Sequence, residues 1–141
     1  MIERLIGTWK LVSVVREEVP SGAKVDFFGP EPHGFINYGP DGRMIALITR
    51  SGRVKPAGQS PTPAEAEALF RSMLSYAGTY TVEGNEVMHH VDISWNESFT
   101  GTDQKRIASF VGDQLQLATV PSRDPVDGKM SVRTMTWQKL P

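Results

Sequence analysis

No cysteine occurs among the 141 residues, which removes disulfides, thiolate metal centres and a cysteine nucleophile together. An excess of either charge is also missing. Fifteen Lys and Arg stand against sixteen Asp and Glu, a balance unlike the basic stripe of a nucleic-acid binder. No basic run exceeds Lys105-Arg106, too little for a patch that seeks a membrane surface. Long apolar runs are absent as well, so no spanning helix of ~18 residues is expected. The opening "MIERLIGTWKLV" carries charge at its third and fourth residues and does not read as a signal peptide; the expected location is cytoplasmic. There is no Gly-x-Ser-x-Gly, no His-Glu-x-x-His, no phosphate-cradling glycine loop and no dinucleotide fingerprint, so neither a metal nor a cofactor is expected. Repeats and linkers are lacking too, and residues 1–141 are read as a single domain.

What the chain does have is dense punctuation. The stretches "YGPDGRM" (38–44), "VEGNEV" (82–87), "VGDQL" (111–115) and "VDGKM" (126–130) carry turn residues between apolar ones. Between the turns lie short runs rich in Val, Ile, Thr and aromatics, at 7–16, 33–38, 43–49, 78–83, 86–95, 104–111, 114–120 and 131–139. Such a series predicts an antiparallel barrel or sandwich. One segment departs from it. Over 60–78, Thr62 is placed as an N-cap, Pro63 at the first helical position and Glu65 three residues beyond the cap. Ala66, Leu69, Phe70, Met73, Leu74 and Ala77 recur at helical spacing and Gly78 stands ready to end the helix. The expectation is an all-β fold with one inserted helix, entered through a polar loop over 50–61.

Few residues can carry chemistry, and "VMHHVDISW" (87–95) holds two of the three histidines. Consecutive strand residues face opposite ways, so Val87, His89, Val91, Ile93 and Trp95 share one face and Met88, His90, Asp92 and Ser94 the other. His89 is thus the inward candidate and His90 the solvated one. An imidazole in an apolar lining needs partners, because burying it unpaired costs about 1–3 kcal/mol. Three roles stay open for His89: a structural bond to a Tyr, Gln or backbone group, a bond to a ligand, or acid/base chemistry. In the first strand Trp9, Leu11, Ser13 and Val15 share a face, with Trp9 placed to plug a barrel end against a cation from the last strand. That strand offers Arg133 and Lys139 beside Met135 and Trp137. In 102–111, Arg106 lies on the face of Gln104, Ala108 and Phe110; the pattern leaves open whether it turns inward to anchor a carboxylate or outward into solvent. His90 and Asp92 alone share a side, which is too few for a metal.

With these residues placed, the chain resembles the lipocalin-like domain family, small bacterial and fungal relatives of the calycin barrels. The likeness rests on Gly7-Thr8-Trp9-Lys10-Leu11, "GFINYGPDGRMIA" (34–46), "YAGTYTVEGNEVMHHVDISW" (76–95), "GTDQKR" (101–106), "GDQLQL" (112–117) and "MTWQK" (135–139). Where relatives tend to close with Arg after the last Trp, this chain has Lys139, which offers no flat guanidinium for stacking. The resemblance implies an antiparallel lipocalin-like (calycin) β-barrel around a pocket, with Tyr80, His89 and Arg106 as its polar residues.

Two functions of different kinds follow as expectations. The first is a binding module that holds a small hydrophobic or aromatic molecule, its lining drawn from Tyr38, Met44, Tyr80, His89, Arg106, Phe110 and Trp137, with the 50–75 loop and helix as a lid. The second is a cofactor-independent isomerase or cyclase in which His89 moves a proton. A homodimer formed through a strand edge or the outer face of the helix is a third, structural reading.

Overall fold

Alternation along the strands decides which side chains meet inside. In the computed structural model, which describes residues 1–123 and 128–141, Val87, His89 and Val91 all point into the core and are nearly inaccessible. They lie on β6 (Glu86–Ser94), one of a set of antiparallel strands that also comprises β1 (Gly7–Glu18), β3 (His33–Tyr38), β4 (Arg43–Thr49), β5 (Met73–Glu83), β7 (Asp103–Val111), β8 (Gln114–Thr119) and β10 (Met130–Lys139). Two short strands, β2 (Lys24–Asp26) and β9 (Ser122–Arg123), flank β1 and β10. The order runs β1-β3-β4-β5-β6-β7-β8-β10, and β10 returns to pair with β1 from Trp9↔Lys139 to Glu18↔Ser131. The result is a closed antiparallel barrel of eight strands. Closure abolishes long free edges, which among the described residues leaves β2 and β9 at the ends of the strand order. Of the turn signals, Gly42 adopts φ 82° between β3 and β4; Val126 and Asp127 of the last one lie outside the described residues.

One end of the barrel is stoppered. A short helix α1 (Ile2–Leu5), which the sequence pattern does not reveal, buries Leu5 completely. Trp9 donates its indole N–H to the Leu5 carbonyl at 2.8 Å, and Lys139 Nζ lies 4.7 Å from the centre of that indole. Lys139 is therefore the cation expected of the final strand, and its ammonium also bonds the Ile6 carbonyl.

Two β-bulges correct the simple alternation. The register of β1 against β10 slips between Leu11 and Ser13, so Val14 and Arg16 turn inward beyond it and Val15 does not. On β6, Gly78 pairs with Val91 while Ala77 pairs with Ile93. Asp92 is the extra residue, and Ile93, expected inside, is 65% exposed. A bulge adds one residue and reverses every face after it.

The inserted helix is shorter than its periodicity suggests. α2 (Pro63–Arg71) begins with the expected capping box of Thr62 and Glu65 but ends at Arg71. Met73, Leu74 and Ala77 belong to β5, which pairs with β4 from Thr49↔Met73 to Arg43↔Thr79. A continuous ladder on both sides of β5 outweighs a helical pattern whose own segment buries no side chain. Gly78 is not a helix cap; it sits at the bulge, where a Cβ would meet the His90 carbonyl oxygen.

Candidate functional site

Four strands bring polar side chains to one level of the barrel. β6 supplies His89, β3 Tyr38, β5 Tyr76 and β7 Arg106, and all four are buried in an otherwise apolar interior. His89 is bonded at both nitrogens. Its Nε2 lies 2.7 Å from the Tyr38 hydroxyl and its Nδ1 lies 2.7 Å from the Tyr76 hydroxyl. His90 faces out, between Thr81 at 3.0 Å and Asp103 at 2.7 Å, while Asp92 pairs instead with Arg43 at 2.8 Å.

Valence gives the inner chain a direction. The Tyr38 hydroxyl is fully buried and has His89 as its sole hydrogen-bond partner among the described residues. Its proton must go to Nε2, since a buried hydroxyl proton without an acceptor costs about 1–3 kcal/mol. A neutral imidazole that accepts at one nitrogen donates at the other, so Nδ1–H donates to the Tyr76 oxygen. The Tyr76 O–H is left to point elsewhere. Burial, with the Arg106 and His90 charges adding to it, holds the His89 imidazole well below its ordinary range. Burial likewise raises the Tyr38 phenol well above its usual value and raises that of Tyr76, against the opposing pull of Arg106 and Arg133.

The depressed imidazole has a measurable consequence. The folded protein binds the His89 proton more weakly than the unfolded chain does. Stability from this group is therefore complete above the unfolded imidazole value near 6.5 and falls as the pH drops below it, by up to ~1.4 kcal/mol per pH unit. Urea melts between about pH 7 and about pH 5 measure this slope. His89→Gln removes the contribution of this imidazole and leaves that of every other titrating group; equal slopes in the two proteins would refute it.

Arg106 is the unusual member. It is 5% exposed, donates from Nη1 to the Lys105 carbonyl at 3.0 Å, and has no carboxylate partner among the described residues. A guanidinium has five N–H donors, so most of its capacity is unspent. The Trp137 indole N–H, also buried, has no acceptor either. Both residues line an interior cavity with Tyr76, His89, Leu74 and Met135. Its volume is about 20 Å³, room for one water rather than a ligand.

Leu74 and Arg133 border this cavity on one side and a cleft of about 80 Å³ at the barrel mouth on the other. Aromatic rings surround the cleft: Phe27 and Phe28 from the loop after β2, Phe70 from α2, then Trp95 and Phe99 beyond β6. Trp95 stands edge-on to Phe99 at 5.1 Å and 6.1 Å from Phe70. The segment expected to act as a lid thus contributes Phe70, Arg71, Met73 and Leu74 to the mouth.

Of the residues read from the sequence, His89, Arg106 and Trp137 meet at the cavity, and Tyr38 reaches it through His89. The others are placed elsewhere. Tyr80 packs edge-on against Tyr38 at 4.9 Å and donates to the Gly39 carbonyl at 2.7 Å. Met44 is buried in the core near that turn, and Phe110 lies at the stoppered end, 6.3 Å from Trp9 and beneath Arg4. Tyr76 is absent from the residues that the sequence singles out, although its place four residues before Tyr80 puts it on the same strand face. The aromatic mouth is absent too, because its members come from separate loops.

The sequence profile of a family described as a lipocalin-like domain matches residues 6–140. Over 109 residues the chain is 32% identical to the 4'-hydroxy-3'-methoxypropiophenone carrier protein ppsC of Aspergillus oryzae, covering 70% of this chain and 97% of that protein. A lipocalin-like protein from Bacteroides uniformis superposes with a TM-score of 0.51 at 14% identity, covering 97% of this chain and 99% of that one. That likeness is one of fold. Among the described residues no helix is long and apolar enough to cross a membrane, and no three His, Cys, Asp or Glu gather as metal ligands do.

Proposed function

This chain belongs to the lipocalin-like domain family, and from that membership together with the buried Arg106, which has no carboxylate partner among the described residues, we propose that the barrel holds a small aromatic or hydrophobic molecule. The molecule enters past Phe70, Trp95 and Phe99 and extends toward Arg106, Trp137 and Tyr76. The observation that carries this reading is the guanidinium with no carboxylate beside it among the described residues, at the bottom of an apolar tract. A buried cation without a counter-charge is costly, and a guest with an oxygen acceptor offsets that cost. The similarity to a protein named as a carrier of an aryl ketone supports the same class of guest. His89 holds the site in shape rather than moving protons, since both its nitrogens are taken by tyrosines.

Space sets a condition on the proposal. A cavity of ~150 Å³ takes up benzene, whereas the interior void is about 20 Å³ and the mouth about 80 Å³. Seating an aromatic ring therefore displaces Leu74 and the flexible Met73 and Met135. α2 can yield as well, because it buries no side chain of its own.

Trp95 and Trp137 lie along the path and report on it. Titration with 4'-hydroxy-3'-methoxypropiophenone should quench tryptophan fluorescence saturably, and a Trp95→Phe variant should lose part of the signal. No saturable change with this ketone, and no rise in melting temperature in its presence, would refute the proposal.

A further inference from the structure

Every polar group that meets the interior cavity and has capacity to spare is a donor. Arg106 has most of its N–H groups free of protein acceptors. The Trp137 indole can only donate and has no acceptor. Tyr76 already receives the His89 proton, because Tyr38 fixes the direction of the chain, so its own O–H is free. The described residues lining the cavity include no Asp, Glu, Asn or Gln to answer them. Three donors from β5, β7 and β10 converge on a cavity lined by two guanidinium groups, Arg106 and Arg133, and by no carboxylate or side-chain amide among the described residues.

We infer that the guest buries an anionic oxygen, a carboxylate or the ionised form of an acidic phenol or enol, against Arg106, Trp137 and Tyr76, with its apolar body toward the mouth. This rests on the reading that the barrel holds a ligand, and adds the sign of its charge and its direction. An ionised carboxylate is acceptor-only and takes several such bonds at once. An ester answers the donors without compensating the guanidinium, and an ammonium has nothing to offer and meets a like charge. Burial keeps the imidazole neutral and both phenols protonated, so the polarity persists across ordinary pH.

Phenylacetate, methyl phenylacetate and phenethylammonium share one aromatic body and differ in charge, so calorimetric titration of the intact protein with each separates polarity from apolar fit. Phenylacetate should bind at least tenfold more tightly than its ester, and the ammonium most weakly. Arg106→Met should erase the advantage of the acid, and Trp137→Phe, which keeps a ring in place, should reduce it about threefold. The comparison within the unaltered protein needs no variant to fold. Should the ester bind as well as the acid while the aryl ketone still saturates, the inference is overturned and the binding reading survives. Should neither the ketone nor any of the three bind, both fall together and the donors serve a trapped water only.

Discussion

Gly78→Ala lowers the stability of the barrel by about 3 kcal/mol, or a fall of about 10 °C in melting temperature. The glycine lies on β5 opposite Val91, where the bulge presses the two strands together. A Cβ at this position falls 1.8 Å from the His90 carbonyl oxygen and 2.8 Å from its carbon. That obstacle is main chain, not the end of a flexible side chain. Moving it means breaking the β5–β6 ladder beside Tyr80↔His89, the pair that carries the buried imidazole. Gly58, where an added Cβ would have nothing within 4 Å and φ is not positive, is the control; Gly58→Ala should stay within about 0.5 kcal/mol. Thermal melts followed by circular dichroism measure both. A Gly78→Ala protein within about 1 kcal/mol of the parent would mean that the strands can part at no great cost.

His89→Ala is the second large effect, a loss of about 4 kcal/mol. Two terms add. Removing a buried side chain of this size leaves a void, and the Tyr38 and Tyr76 hydroxyls lose their partner inside the core. The second term can be isolated. Tyr38→Phe alone leaves Nε2 without a donor and should cost about 1–3 kcal/mol. In a His89→Leu protein, where that nitrogen no longer exists, the same Tyr38→Phe change should be close to neutral, because the orphaned hydroxyl goes with it. Denaturant melts of the four proteins close the cycle. A Tyr38→Phe effect that is the same with and without the imidazole would show that the bond contributes nothing. If His89 served only to fill space, His89→Leu would be harmless by itself; the chain of bonds predicts that it is not.

Part of the candidate site is legible in the order of residues alone. His89 can be placed inside because Val87 and Val91 flank it at the strand period, and the structure buries all three. His90 can be placed outside by the same rule. Arg106 is undecided on pattern, since β7 has no clean apolar face; its burial, without a carboxylate partner among the described residues, depends on what eight strands bring around it. Tyr76 stands within "YAGTY", yet nothing local marks it above Tyr80. Only the pairing of β5 with β6 sets one hydroxyl against Nδ1 and sends the other to Gly39.

The sequence by itself determined the class of fold: turn residues at short intervals and a two-residue period leave an antiparallel sheet as the structure that buries the apolar side chains. It also determined the start of α2, because a capping box is a local bond among near neighbours. The tertiary structure alone decided where α2 yields to β5, where two bulges reverse the faces of β1 and β6, and how small the interior void is. Those outcomes follow from ladders and packing between residues far apart in the chain, which no short window of sequence contains.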